Sequence, residues 1–200
     1  MVEINEDFYT AVSRYSKKYR DQSVVIKFGG ELVDDDEALR SIAVQAINLK
    51  NLGCNVVLVH GGGKQITDQL NAAGIGFEMI AGVRNTSPEA LKITAGCLSE
   101  MNTHIARVFL EEAQRLGSDV TALGMGGFGG SVITAAPKFE GTLTGDVTNV
   151  NAKFISMITA QNIVPIIHPI CAGENTPMLN VNADDVAAAL AQAMDAKRLI

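Results

Sequence analysis

Two short β-rich runs, each closed by a block of glycines, restrict this chain more than any other feature. Val24-Val25-Ile26-Lys27-Phe28 ends at Gly29-Gly30, and Asn55-Val56-Val57-Leu58-Val59 ends at His60-Gly61-Gly62-Gly63. Short apolar runs rich in β-branched residues and stopped by glycine read as strands buried on both faces. Around them the spacing turns helical, over residues 35–51, 64–73, 88–100, 102–116, 152–161 and 184–194. Further strands are expected at 120–123, 132–135 and 164–167, with an irregular stretch up to about residue 150 and the opening of another strand at 197–200. Strands that alternate with helices pair in parallel through right-handed crossovers. The expected fold class is therefore α/β: a three-layer α/β/α sandwich with an open, mostly parallel central sheet.

Residues 3–20 precede the first strand. Ile4, Phe8, Ala11, Val12, Tyr15 and Tyr19 follow the spacing of one helix face, and Lys17, Lys18 and Arg20 stand near its end, where the dipole favours cations. This gives an N-terminal helical extension at 1–22 ahead of one domain at 23–200. The helix has two places to pack, its own domain or a partner subunit. Leu199-Ile200 climb into an apolar run without a cap or polar tail, so the natural chain is expected to continue past residue 200.

Composition excludes several functions. A net charge of −6 does not fit a nucleic-acid partner, which would call for a basic stripe. With 19 Gly and no Trp, sites built from backbone fit this chain better than aromatic platforms. No apolar run reaches the length of a membrane span, and the charged N-terminus is not a secretory signal. Cys54, Cys97 and Cys171 are odd in number and lack CxxC spacing, which suits reduced, buried thiols and a cytoplasmic location.

The chemistry is expected at the glycine turns. In an open parallel sheet, ligands bind at the carboxyl ends of strands, where both turns lie. The turn at 61–63 leads into a helix whose unpaired amides suit an anion, and glycine lets an oxyanion approach the main chain. A tight turn without a ligand is the plainer alternative. Lys27, at the end of an apolar strand, is either a surface lysine or the ammonium of an oxyanion pocket. Arg84 suits bidentate carboxylate recognition, although a lone loop arginine can equally be solvated. Asn180 and Asn182 alternate on an extended segment and would share a face, and Asp184 could cap the next helix or hold a lysine or a metal-bound phosphate. His60, His104 and His168 lack metal-ligand spacing and read as structural or solvated, so no protein-only metal site is expected.

Taken in order, Ile26-Lys27-Phe28-Gly29-Gly30, Val59-His60-Gly61-Gly62-Gly63, Gly82-Val83-Arg84-Asn85-Thr86, Gly145-Asp146-Val147 and Asn180-Val181-Asn182-Ala183-Asp184 resemble the amino acid kinase family. Within it they are most similar to the branch that acts on N-acetyl-L-glutamate. The resemblance runs from about residue 23 to the end. It implies transfer of a phosphoryl group from ATP, with Mg2+, to the γ-carboxylate of N-acetyl-L-glutamate in arginine biosynthesis. Lys27 and Asp184 would be catalytic, with Lys27, Gly29 and Gly30 facing the phosphates. Gly62, Gly63, Arg84 and Asn180 would bind the acid. It also implies a homo-oligomer, a dimer or a hexamer joined through the N-terminal helix, with arginine as a candidate inhibitor. The segment at 123–130 departs from the resemblance, lacking the charges that usually interrupt this turn, and the family's second catalytic lysine and most of its adenine site would lie beyond Ile200. Two other readings stay open: a non-catalytic arginine-sensing domain, and a kinase for another acidic amino acid.

Overall fold

The computed structural model describes residues 6–80, 83–128, 132–174 and 178–200. In chain order it begins with α1 (Glu6–Tyr19), β1 (Ser23–Phe28), α2 (Asp36–Asn51), β2 (Asn55–His60) and α3 (Gly63–Ala72). A short antiparallel pair follows, β3 (Glu78–Ile80) with β4 (Val83–Asn85), and then α4 (Pro88–Arg115). Next come β5 (Thr121–Gly126), β6 (Ile133–Pro137), β7 (Thr144–Val150), α5 (Ala152–Ala160) and β8 (Ile163–His168). The last elements are β9 (Ile170–Gly173), β10 (Met178–Val181), α6 (Ala183–Ala193) and β11 (Arg198–Leu199).

Five strands form the central sheet in the order β11-β1-β2-β8-β5, every neighbouring pair parallel. Side chains alternate between its faces with the period of two that a strand imposes. Val24, Val56, Leu58 and Ile166 enter one core, which α2, α3 and α4 close with Ile47, Leu70, Leu98 and Phe109. Val25, Val57, Val59 and Ile167 enter the other, closed by Ile155 of α5 and Leu190 of α6. The expected three-layer sandwich is thus present. Helices α2 and α4 are capped locally: the Asp35 side chain accepts from the amides of Glu37 and Ala38, and Ser87 accepts from Ala90 directly before Pro88.

Three features differ from the sequence-based expectations. The helices expected at 88–100 and 102–116 are one helix, α4, because Leu98, Met101, Asn102 and Ile105 continue a single buried stripe. Asn102 does not break it, since its amide donates 2.9 Å to the Ile166 carbonyl of β8. The stretch expected to be irregular contains β7, Thr-Gly-Asp-Val-Thr-Asn-Val, in which Gly145, Asp146 and Asn149 interrupt the β-branched residues. It pairs with β6, across a register shift at Thr134/Ala135, and β10-β7-β6-β9 close into a small barrel beside the main sheet. Arg84, expected in a loop between helices, is on strand β4.

The C-terminal end of α1 docks on its own subunit. Ser16 donates to the Leu52 carbonyl over 3.3 Å, and Tyr19 packs against the core, while Tyr9, Val12 and Tyr15 are exposed. Ile4 and the side chain of Phe8 lie outside the described residues. All three cysteines are free and buried. No described helix is long and apolar enough to cross a membrane.

Two histidines are sealed at the carboxyl ends of neighbouring strands β2 and β8. The His60 and His168 ring centroids are 6.2 Å apart, and Asn102 Nδ2 lies 3.1 Å from His60 Nε2. Burial pushes both pKa values down to about 4, so the folded protein holds both rings neutral. An unfolded chain takes up protons on both below pH 6.5 and the native state does not, so stability falls as pH drops from 6.5 towards 4. The slope is at most about 1.4 kcal/mol per pH unit for each histidine. Urea midpoints measured from pH 7.5 to 4.5 should therefore fall below pH 6.5, and His168→Asn should flatten that fall.

Candidate active site

Parallel pairing of β1 with β2 brings the two glycine turns side by side. Phe28 faces His60 in register, and the Gly61 amide donates to the Phe28 carbonyl at 3.2 Å. Gln65, one turn into α3, clamps the turns together: its Nε2 donates to the Gly30 carbonyl at 2.9 Å and to Asp34 Oδ2 at 2.8 Å. The contact is close enough that a Cβ on Gly30 would come within 2.2 Å of Gln65 Oε1 and 3.0 Å of Gly62 Cα. Gly62 is the N-cap residue of α3 and has no side chain to cap it, so the first amides of the helix stay open to an anion.

Lys27 reaches this place from β1. Its Nζ lies 2.8 Å from Asp184 Oδ1. Capping of α6 falls to Asn182, whose side chain accepts from the Asp184 amide at 2.8 Å, and this leaves the Asp184 carboxylate for the lysine. The aspartate is 69% exposed and the lysine 28%. A pair so open to water adds little stability and mainly aims the ammonium.

Arg84 reaches the same place from β4. Its guanidinium lies 4.4 Å above the Phe77 ring, and Nη2 donates to Thr67 Oγ1 at 2.6 Å and to the Gly63 carbonyl at 3.4 Å. Nε is buried and no described residue accepts from it. Burial pushes the guanidinium pKa below its ordinary value, a desolvation cost that a bound carboxylate would offset. Asn180, on β10, donates from Nδ2 to Thr86 Oγ1 at 3.2 Å.

These groups share one cavity of about 290 Å³. Lys27, Gly29, Gly30, Gly62, Gly63, Arg84, Asn180 and Asp184 all line it, and Ile66, Val83, Pro169 and Val181 give it an apolar wall. Every residue singled out from sequence for phosphate or acid binding thus reaches the same space. Asn182 lines it too, but its side chain is committed to the helix cap. Gly82, Gly129 and Gly130 of the motifs and of the second glycine-rich segment lie outside the described residues. Sequence reading missed Gln65, Thr67, Phe77, Thr86 as a buried hydroxyl, and Thr144. Thr86 stood in the motif at 82–86 without a role of its own, the other four belong to no motif, and each matters through what it touches.

The arrangement brings a lysine, bare amides, an arginine and an asparagine amide to one cavity. A model of the amino acid kinase family matches residues 22–200. The chain belongs to the amino acid kinase family. It is 34% identical over 189 residues to an acetylglutamate kinase of Nautilia profundicola, with 93% of this chain and 65% of that protein covered. It is likewise 34% identical over 191 residues to an acetylglutamate kinase of Aliarcobacter butzleri, with 93% and 62% covered. The chain spans less than two thirds of the length of these two relatives. Among solved structures, smu.665 of Streptococcus mutans superposes with a TM-score of 0.72 at 26% identity, over 88% of this chain and 70% of that one. An N-acetylglutamate synthase of Neisseria gonorrhoeae, solved with coenzyme A and L-arginine, gives 0.73 at 19% identity over 96% and 45%. A Giardia lamblia carbamate kinase bound to AMP-PNP gives 0.62 at 16% over 90% and 70%. The last two likenesses show the shared amino acid kinase fold alone.

The glycine contacts in this member of the amino acid kinase family can be separated by substitution. Gly30→Ala should destabilise by about 1–3 kcal/mol, because the new methyl displaces the Gln65 side chain from its clamp and crowds Gly62 Cα. Gly29→Ala should cost less than about 1 kcal/mol, since nothing lies within 4 Å of its Cβ position and its φ is −77°. Urea titrations of the two variants measure the difference.

Proposed function

We propose that this chain forms the acid-binding and phosphoryl-facing part of a kinase that phosphorylates the γ-carboxylate of N-acetyl-L-glutamate, a step of arginine biosynthesis in the cytoplasm. The observation that carries the reading is Lys27, aimed by Asp184 into the same cavity as the open amides at 62–63 and the guanidinium of Arg84. The relatives at 34% identity, both acetylglutamate kinases, favour this acid over other acidic amino acids.

Arg84 is suited to the α-carboxylate, because its rigid guanidinium is stacked on Phe77, held by Thr67 and lines the cavity. Asn180 holds the acid beside it. With that end fixed, the γ-carboxylate extends toward Gly62 and Gly63, whose amides orient it. ATP with Mg2+ supplies the transferable phosphoryl group. The Lys27 charge and a turn at Gly29-Gly30 with no side chains fit its phosphate end, and the open space at the Gly29 Cβ position leaves room for an approaching oxyanion. Phosphoryl transfer asks a protein chiefly for alignment and charge neutralisation. Lys27 neutralises charge growing on the transferred group, and Asp184 keeps the ammonium on the line of transfer. An arginine sensor without catalysis would have no use for this phosphate-facing pair.

In the full-length protein, Lys27→Ala should lower kcat by about two to three decades, equivalent to roughly 3–4 kcal/mol of barrier, with a much smaller change in KM for the acid. A coupled assay of ADP release with N-acetyl-L-glutamate reads both constants, and turnover near the wild-type value would overturn the role.

The domain boundary near residue 22 belongs to the same proposal, with α1 acting as an extension that joins subunits into a dimer or hexamer, and arginine as inhibitor. Its exposed Tyr9, Val12 and Tyr15 provide the apolar contact. Deleting residues 1–20 should lower the assembly mass seen by light scattering, and an unchanged mass would argue for packing within one subunit only.

A further inference from the structure

Behind Arg84 and Asn180 lies a sealed cluster that ties them together. Thr86 and Thr144 are each 1% exposed. Thr144 Oγ1 lies 2.7 Å from the Arg84 carbonyl oxygen and 3.0 Å from Thr86 Oγ1. Thr86 also donates its backbone N–H to Thr144 Oγ1 at 3.0 Å. The backbone joins the same parts: the Leu143 amide donates to the Thr86 carbonyl at 2.9 Å, and the Asn180 amide donates to the Leu143 carbonyl at 2.8 Å.

A count of protons fixes the direction of this cluster. Of the three oxygen–oxygen contacts in the cluster, at 2.7, 3.0 and 3.3 Å, the two shorter each need a proton, and the Arg84 carbonyl has none to give. The two hydroxyls own one proton each, so both are spent inside: Thr144 donates to Arg84, and Thr86 donates to Thr144. This leaves Thr86 Oγ1 only lone pairs for Asn180, 3.2 Å away. The Asn180 amide must then turn Nδ2 to Thr86, which leaves Oδ1 as its second branch. No described residue donates to that oxygen, and Asn180 lines the cavity.

We propose that Thr144 is a positioning residue that fixes the polarity of the Asn180 amide, so that beside Arg84 the cavity takes an acid whose α-nitrogen carries an N–H donor. This rests on reading the cavity as the acid-binding site. Arg84 meets the α-carboxylate, and Asn180 Oδ1 accepts the N–H one atom further along. An acid with an ester oxygen in place of that nitrogen sets an acceptor against an acceptor, and the half-buried carbonyl loses its water without gaining a partner.

The test is binding of matched pairs to the full-length protein by calorimetry without nucleotide. The pairs are N-acetyl-L-glutamate with 2-acetoxyglutarate, and N-acetyl-L-alanine with 2-acetoxypropanoate. In the wild type, the amide of a pair should bind about tenfold or more tighter than its ester. Thr144→Ser keeps the hydroxyl and should keep that ratio. Thr144→Val frees the Thr86 proton, allows the amide to turn over, and should bring the ratio to within about threefold while ester binding persists. Ester and amide binding equally to the wild type would overturn the proposal, as would an undiminished ratio in Thr144→Val. If Thr144→Val fails to fold, equal binding of amide and ester by the wild type, or loss of the ratio in Thr144→Ser, would still overturn the proposal. Discrimination in the alanine pair without binding of the glutamate pair would support the relay and remove N-acetyl-L-glutamate as the substrate. Glutamate-pair binding without discrimination would do the reverse, and no binding by any acid would overturn both.

Discussion

The parallel pairing of β1 with β2 is the constraint on which the cavity depends. Parallel strands release their chains at the same edge of the sheet, so the two glycine turns that follow them must be neighbours. Residues 28 and 60 face each other in register, and the hydrogen bond from the Gly61 amide to the Phe28 carbonyl continues the ladder one step into the turn. One residue back on β1, Lys27 sits opposite Val59. Charge and amides therefore approach one another through backbone geometry, without any flexible loop having to find its place.

The other half of the cavity is assembled differently. Arg84 and Asn180 come from a short strand pair and from a small barrel, and the chain between them covers almost half the molecule. A buried pair of threonines welds these parts together, and an aromatic ring and a threonine hydroxyl hold the guanidinium in place. Desolvation makes this arrangement demanding. Arg84 keeps its charge with one donor unsatisfied, and that stored cost favours an anionic ligand over an empty wall.

Much of this was legible from residues alone. The apolar runs ending in glycine fixed the main strands, because nothing but a doubly buried strand suits Val-Val-Ile or Val-Val-Leu-Val at that length. The helix periods were equally plain, apart from the false break at Met101-Asn102, where a polar residue in the stripe serves a tertiary hydrogen bond. β7 escaped because its partners, not its composition, make it a strand. Asp184 could be placed at a helix start, but the choice between capping that helix and holding a lysine needed the contacts: Asn182 takes the cap, and Lys27 lies beside Asp184.

Sequence by itself determined the layered α/β architecture, the positions of both glycine turns, and the residue types able to face a phosphate or a carboxylate. These follow from local rules: side-chain period, glycine's lack of a Cβ, and the charge each residue carries. Tertiary structure alone decided that Lys27 belongs to Asp184, that Gln65 holds two turns together, and that Thr144 sits between Arg84 and Asn180. Such pairings depend on contacts between residues as many as 157 positions apart in the chain, as for Lys27 and Asp184. Only the close packing of strands and barrel brings those groups within hydrogen-bonding distance.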